Sequence, residues 1–203
     1  MEPDVRRGIR ELAVARIVEH ADELTALDQA IGDGDHGINM KRGFEAISEI
    51  AEEIDALPAG AALQKAGMTL VMKIGGASGP LYGSLLMAMG KAMPGDPASR
   101  RDLAASLAEG VEAVKKRGRS HAGEKTMLDV LVPVLGAISA DADDPLAAAR
   151  RAAAKGLAAT KDMMATKGRA SFLGERSIGH LDPGARSSAL LVDAVCDAIE
   201  GKI

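Results

Sequence analysis

Apolar residues recur at three- and four-residue spacing along almost the whole of this chain, a pattern that favours packed α-helices over any other architecture. Ile9, Ala13, Ile17 and Leu24 trace a first helix, and Met40, Phe44, Ile47, Ala51 and Ile54 a second, cut by Pro58. A third runs from about Ala59 to Lys73 and stops at Gly75-Gly76. The fourth carries Pro80 in its first turn, where a missing N–H is harmless, and closes at Pro94 and Pro97. Leu103, Leu107, Val111 and Val114 mark a fifth, and Met127, Leu131, Val134 and Ile138 a sixth. The Ala-rich stretch after Pro145 gives a seventh, and Leu191, Val195 and Ile199 an eighth. Alternating β-branched segments bounded by turns are hard to find, so the expectation is all-α with eight helices.

The connections are unequal. Four are long, polar and glycine-rich: Asp28 to Asn39, Ile74 to Gly79, Gly118 to Thr126, and Lys167 to Ser188. Ligands on helical scaffolds usually sit on such loops. If consecutive helices run antiparallel, the loops after helices one, three, five and seven share one end of a bundle, and these are those loops. The other connections read as plain Pro/Asp/Gly turns.

Composition narrows what that rim can bind. With one Tyr, two Phe and no Trp, stacking of nucleic-acid bases on aromatics is not available as a general strategy. A formal charge of -4 has the wrong sign for phosphate backbones or anionic membranes. Nucleic acid and membrane are therefore excluded as partners. The 203 residues, 47% hydrophobic and 27% charged, suit one globular domain over residues 1–203. Cys196 has no second cysteine to pair with, and Leu191, Val192, Val195 and Ile199 around it read as a buried stripe. Lacking an apolar leader core or a run of about 20 apolar residues, the chain is expected in the cytoplasm.

The first loop, Asp28-Gln29-Ala30-Ile31-Gly32-Asp33-Gly34-Asp35-His36-Gly37, sets three aspartates at i, i+5 and i+7. In an extended stretch Asp33 and Asp35 project to one side, and Asp28 at a helix end can turn toward them. Crowded carboxylates repel unless a divalent cation neutralises them, and hard oxygen donors point to magnesium; a turn with solvated acids is the alternative. Gly32, Gly34 and Gly37 match the dinucleotide fingerprint, but a helix precedes them and two aspartates would repel a bare pyrophosphate. An EF-hand fails as well, because Gly37 and Phe44 fall where ligands are needed.

The second loop, Ile74-Gly75-Gly76-Ala77-Ser78-Gly79-Pro80, enters a helix N-terminus, where free N–H groups attract anions; a phosphate cradle and a simple C-cap followed by an N-cap both satisfy it. The third, Gly118 to Met127, misses a Walker A loop by one residue, since Glu124 separates Gly123 from Lys125 and no strand precedes it. Lys125 and Thr126 are expected near phosphate and Met127 against a base. Lys115, Lys116, Arg117 and Arg119 complement the dipole at the end of the fifth helix. The fourth loop, with Lys167, Arg169, Arg176, His180, Asp182-Pro183-Gly184 and Arg186, is a cationic segment that would face the acidic loop or remain a solvated basic loop. His20 reads as a helix-face residue.

Taken in order, Gly32-Asp33-Gly34-Asp35-His36-Gly37-x-Asn39-Met40, Gly75-Gly76-Ala77-Ser78-Gly79-Pro80, Lys125-Thr126-Met127 and Gly168-Arg169-Ala170-Ser171 through Asp182-Pro183-Gly184-Ala185 resemble the nucleotide-binding L subunit of bacterial dihydroxyacetone kinases. The resemblance covers essentially the whole chain. It implies an eight-helix antiparallel barrel with ADP or ATP at one rim. Asp28, Asp33 and Asp35 would be ligands of two Mg2+ ions that clamp the phosphates. His36, Gly37, Ile38 and Asn39 match the nucleotide-contacting end of the first motif. Ala77 and Ser78 would bind phosphate oxygens, while Gly118, Met127, Arg176, Asp182, Pro183 and Gly184 would surround adenosine. Gly34 stands where the family varies.

The family further implies a substrate-binding K subunit, which holds dihydroxyacetone covalently on its histidine, and a phosphohistidine-bearing M subunit that recharges bound ADP. The chain would then contribute positioning and charge neutralisation, with no covalent catalytic residue of its own. An ATP-exchanging kinase for another ketose or another partner-held acceptor, and a nucleotide-sensing regulatory module, remain the alternatives. The sequence leaves the oligomeric state open, a homodimer included.

Overall fold

The computed structural model describes residues 2–93, 95–97 and 99–202. Pro94, one of the two prolines expected to close the fourth helix, lies outside them. Ten α-helices follow in order: α1 (Pro3–Glu19), α2 (Ala21–Ile31), α3 (His36–Glu49), α4 (Ala51–Asp55), α5 (Ala59–Lys73), α6 (Ser78–Ala92), α7 (Arg100–Gly118), α8 (Leu128–Ser139), α9 (Pro145–Ala159) and α10 (Pro183–Ile199). Two 3-10 segments, Thr160–Asp162 and Arg169–Ser177, lie between α9 and α10. No strand occurs among the described residues, and none of their helices is long and apolar enough to cross a membrane.

Among the described residues two of the eight expected helices are each broken in two, a local correction that gives ten segments. The expected first helix breaks at His20 (φ -96, ψ 12) and the second at Ile50 (φ -109, ψ 24). Neither break carries a glycine or proline, and the apolar period continues across both, so the sequence gives no mark of them. The other correction is at α10, which begins at Pro183, well before Leu191. The Asp182 carboxylate accepts the Ala185 N–H at 2.7 Å and Pro183 fills the first position, an N-cap and proline pair hidden inside what reads as a loop. The same device starts α9 at Asp144-Pro145, and a capping box between Ser99 and Asp102 starts α7.

Helix neighbours form a closed circuit: α1 packs on α3, α3 on α5, then α5 through α10 each on the next, and α10 back on α1. α2 continues α1 past its break and lies against α3 and α10. Ile17, Leu24, Met40, Phe44, Leu70, Tyr82, Val111, Val114, Leu128 and Leu190 fill the main core. A second cluster of Val130, Val134, Ala149, Ala153, Ala185, Ala189 and Cys196 joins α8, α9 and α10. With so few aromatics, density comes from close backbone approach. Pro133 has no N–H for the Asp129 carbonyl, and that oxygen faces Gly156, where a Cβ would stand only 2.1 Å away. Cys196 is buried as expected, and burial pushes its thiol up to about 11, which makes it inert.

Candidate functional site

The rim is built from the starts of α3 and α6 and the end of α2. Asp28, one turn before the end of α2, turns its Oδ2 to the first turn of α3 and accepts the backbone N–H of Asp35 at 2.8 Å and of His36 at 3.0 Å. A buried carboxylate thereby satisfies two free N–H groups of a helix start from the preceding helix. Asp33 and Asp35 project beside it, more exposed, and one carboxylate oxygen from each of the three lies within 4.8 Å of the others. Gly34 makes the turn with φ +74, a left-handed conformation that favours glycine.

Metal–oxygen bonds of 2.0–2.1 Å in an octahedron set adjacent donors about 3 Å apart and opposite donors about 4 Å apart. Three hard carboxylate oxygens within 4.8 Å of one another come near that spacing, so small side-chain adjustments would seat such a cation. Arg169 reaches Asp33 at 3.1 Å from the 3-10 segment, which places the cationic fourth loop against the acidic first one.

The second loop joins through Ser78, whose hydroxyl lies 3.0 Å from His36 Nδ1. Gly76 adopts φ +65 to bring the chain into α6, and Ala77 is exposed at the helix start. Ser78 therefore does not cap α6; its oxygen is held by the imidazole instead. His36 Nε2 lies 3.0 Å from Ser187 Oγ, and that hydroxyl meets Tyr82 Oη at 2.7 Å. Tyr82 also meets Ser188 Oγ at 2.8 Å and donates toward Gly184 O at 3.1 Å. Burial holds the His36 imidazole below its usual range, against the opposing pull of Asp28 and Asp35, which favours the neutral ring. A buried polar line thus runs from the rim hydroxyl of Ser78 into the first turn of α10.

The third loop departs from expectation at Lys125. Its side chain is 1% exposed, and its ammonium donates to the carbonyls of Thr160, Met163 and His180. A cation fully bound by backbone oxygens is not a free phosphate ligand, so the expected phosphate contact is replaced by an internal anchor. Thr126 sits half-buried above it, its hydroxyl accepting the Leu128 N–H at 3.2 Å. Asp129 shapes the same turn by accepting the N–H groups of Gly123 and Thr126. Met127 is 4% exposed and packs in the main core, with its backbone facing Gly184. Gly118 ends α7 beside Leu81 in the first turns of α6.

Among the remaining residues, Ile38 is exposed, Gly37 and Asn39 are buried, and Asn39 Oδ1 accepts from Arg42. Arg176 is exposed at the end of the 3-10 segment. Asp182 and Pro183 are buried and Gly184 half-buried. Burial pushes the Asp182 carboxyl up to about 7, with Asp129 and Asp28 adding to the rise and the Ala185 N–H and Lys125 opposing it. The four loops meet at one rim. Tyr82, Ser187, Ser188 and Asp129 are site-forming residues that the sequence reading missed. The lone tyrosine of an aromatic-poor chain was the one available signal.

The family model for the DAK2 domain matches residues 30–197. The chain is 50% identical over 182 residues, 89% of its length and 88% of the relative's, to the "PEP-dependent dihydroxyacetone kinase 1, ADP-binding subunit DhaL" of Listeria innocua. It is 41% identical over 184 residues, 91% of each chain, to the "PTS-dependent dihydroxyacetone kinase, ADP-binding subunit DhaL" of Lactococcus lactis. Among solved structures it resembles the dihydroxyacetone kinase of C. freundii in complex with AMP-PNP and Mg2+, with a TM-score of 0.75 and 27% identity; the match covers 94% of this chain and 33% of that one. A helical chain with this rim, matched over nearly its whole length, belongs to the DAK2 domain family.

Proposed function

We propose that this chain is the ADP-binding subunit of a phosphoenolpyruvate-dependent dihydroxyacetone kinase. The observation that carries the reading is the gathering of Asp28, Asp33 and Asp35 within 4.8 Å on the rim where α3 and α6 begin. Magnesium, when bound, would bridge these carboxylates to phosphate oxygens and neutralise charge developing there. Three carboxylates cannot fill two octahedra, so two ions would require phosphate oxygens and water for the remaining positions, which suits a nucleotide site.

The chain's own residues position and neutralise. Ser78 and the amides around Ala77 at the start of α6 would meet phosphate oxygens, with His36, Gly37, Ile38 and Asn39 opposite them. Gly118, Thr126, Met127, Arg176 and the turn Asp182-Pro183-Gly184 would border adenosine. The acceptor, dihydroxyacetone, would arrive on a K subunit and the phosphoryl donor on a phosphohistidine M subunit, both approaching this rim. Ile38, 61% exposed, and Phe172, 88% exposed, are apolar side chains from the two loops that meet there, which supports a docking role.

The test is to denature the purified protein and identify what it releases. Stoichiometric ADP that becomes ATP only with phosphoenolpyruvate and upstream carriers is the expected result. Free exchange with added ATP would instead indicate an ATP-dependent kinase, and no nucleotide under any condition would refute the proposal.

A further inference from the structure

Among the described residues Lys125 is the largest fully buried side chain, and it sits in a conformation a lysine rarely adopts, φ +61. Strained backbone persists only where its surroundings over-determine it. Here the surroundings are three carbonyls: Thr160 and Met163 where the chain leaves α9, and His180 where it returns to α10, the Met163 bond measuring 3.2 Å. Burial pulls the ammonium down from its usual range, while Asp182, Asp162 and Asp129 hold it up.

The segment between those carbonyls, residues 163–180, leaves and re-enters the fold at one neck. Other bonds close the same neck: Gly179 N–H to Lys161 O at 2.7 Å, Asp182 N–H to Thr160 Oγ1 at 3.1 Å, and Ala165 N–H to Ser177 Oγ at 2.9 Å. Outside the neck, its 3-10 segment lies against α2 and Arg169 reaches Asp33 in the acidic triad. Whatever fixes the neck therefore fixes one wall of the site.

We infer that Lys125 is a positioning residue whose buried ammonium fastens the 163–180 loop over the site and slows nucleotide release. This rests on the nucleotide reading above, but its structural half does not. It adds a determinant of retention that touches neither the metal nor the phosphates.

The test uses the full chain and two readouts. Amide hydrogen exchange without nucleotide is expected to show Lys125→Met losing protection in residues 163–182 while α5 and α6 keep theirs. Release of fluorescent ADP is expected to quicken by about tenfold or more, because the opened loop no longer limits escape. Should Lys125→Met fold poorly, Lys125→Ala in the presence of n-propylammonium replaces the missing atoms; recovered loop protection with that amine, and none with n-propanol, supports the inference. Wild-type loop protection and wild-type release in the Met variant, or equal rescue by the neutral alcohol, would overturn it. If the wild-type chain holds no ADP, the exchange arm still decides the loop, so the two failures are distinguishable.

Discussion

Asp28 and His36 are joined across the turn between α2 and α3 by one bond, the His36 N–H donated to Asp28 Oδ2 at 3.0 Å. The carboxylate proposed to hold a cation therefore also holds the helix that delivers His36 to the rim. Asp33 instead forms an ion pair with Arg169, which is 70% exposed at its side chain.

That difference separates the two residues experimentally. Asp33→Asn should weaken Mg-nucleotide retention at least tenfold and leave the melting temperature nearly unchanged, because an exposed pair contributes about 0–1 kcal/mol. Asp28→Asn should weaken retention too, but should also lower stability by about 1–2 kcal/mol through the loss of a buried capping carboxylate. Calorimetric titration with Mg-ADP beside urea unfolding of both variants measures the contrast. Wild-type nucleotide occupancy in Asp33→Asn would contradict the ligand role.

Much of this site was readable because its chemistry is local. Three aspartates within eight residues and a glycine run before Pro80 announce themselves without any fold. What stayed hidden depends on contacts across the chain: His36, Tyr82 and Ser187 lie on three helices, and periodicity assigns each a face but not a neighbour. Lys125 misled for a related reason. Beside Thr126 it looks like a phosphate ligand, and only the return of residues 160–180 reveals the carbonyls that occupy it. The fold shows the same division, since the ring of helices follows from the apolar period whereas the bends at His20 and Ile50 carry no local signal.

Gly37→Ala tests how tightly α3 is set on α2. A Cβ there would lie 1.9 Å from the Ala21 carbonyl and 2.7 Å from the Thr25 nitrogen, both backbone atoms that cannot swing aside. Alanine gains helix propensity of up to about 1 kcal/mol but must push two helices apart, so a net loss of about 2–3 kcal/mol is expected. The urea midpoint reports it, and an unchanged midpoint would mean the α2–α3 contact yields easily.

Asp182 gives a pH signature. Its folded carboxyl keeps a proton up to about 7, whereas an unfolded aspartate releases it near 4. Between those values the native chain binds more protons than the unfolded one, so this group's contribution falls as pH rises through the window and stays low above it. Asp182→Asn preserves the N-cap on Ala185 and has no proton to lose. Measured without nucleotide, the variant should match the wild type near pH 4.5 and exceed it in melting temperature at pH 8. Parallel curves across that range would show that burial does not raise this carboxyl.

Tyr82→Phe probes the buried line from the rim into α10. The phenol is 2% exposed, burial pushes it up to about 12, and its oxygen meets Ser187, Ser188 and the Gly184 carbonyl. Phenylalanine fills the same space but leaves buried oxygens short of one donor, a loss of about 1–3 kcal/mol. The effect should reach further than stability. Ser187 is the partner of His36 Nε2, and His36 in turn holds Ser78, so freeing the Ser187 hydroxyl loosens the orientation of the rim hydroxyl. The expected outcome is a several-fold weaker affinity for Mg-ADP together with a changed pair of ring-nitrogen shifts for His36 by NMR. A variant that loses stability while both His36 shifts and ADP affinity stay put would confine Tyr82 to packing and break the proposed line at Ser187.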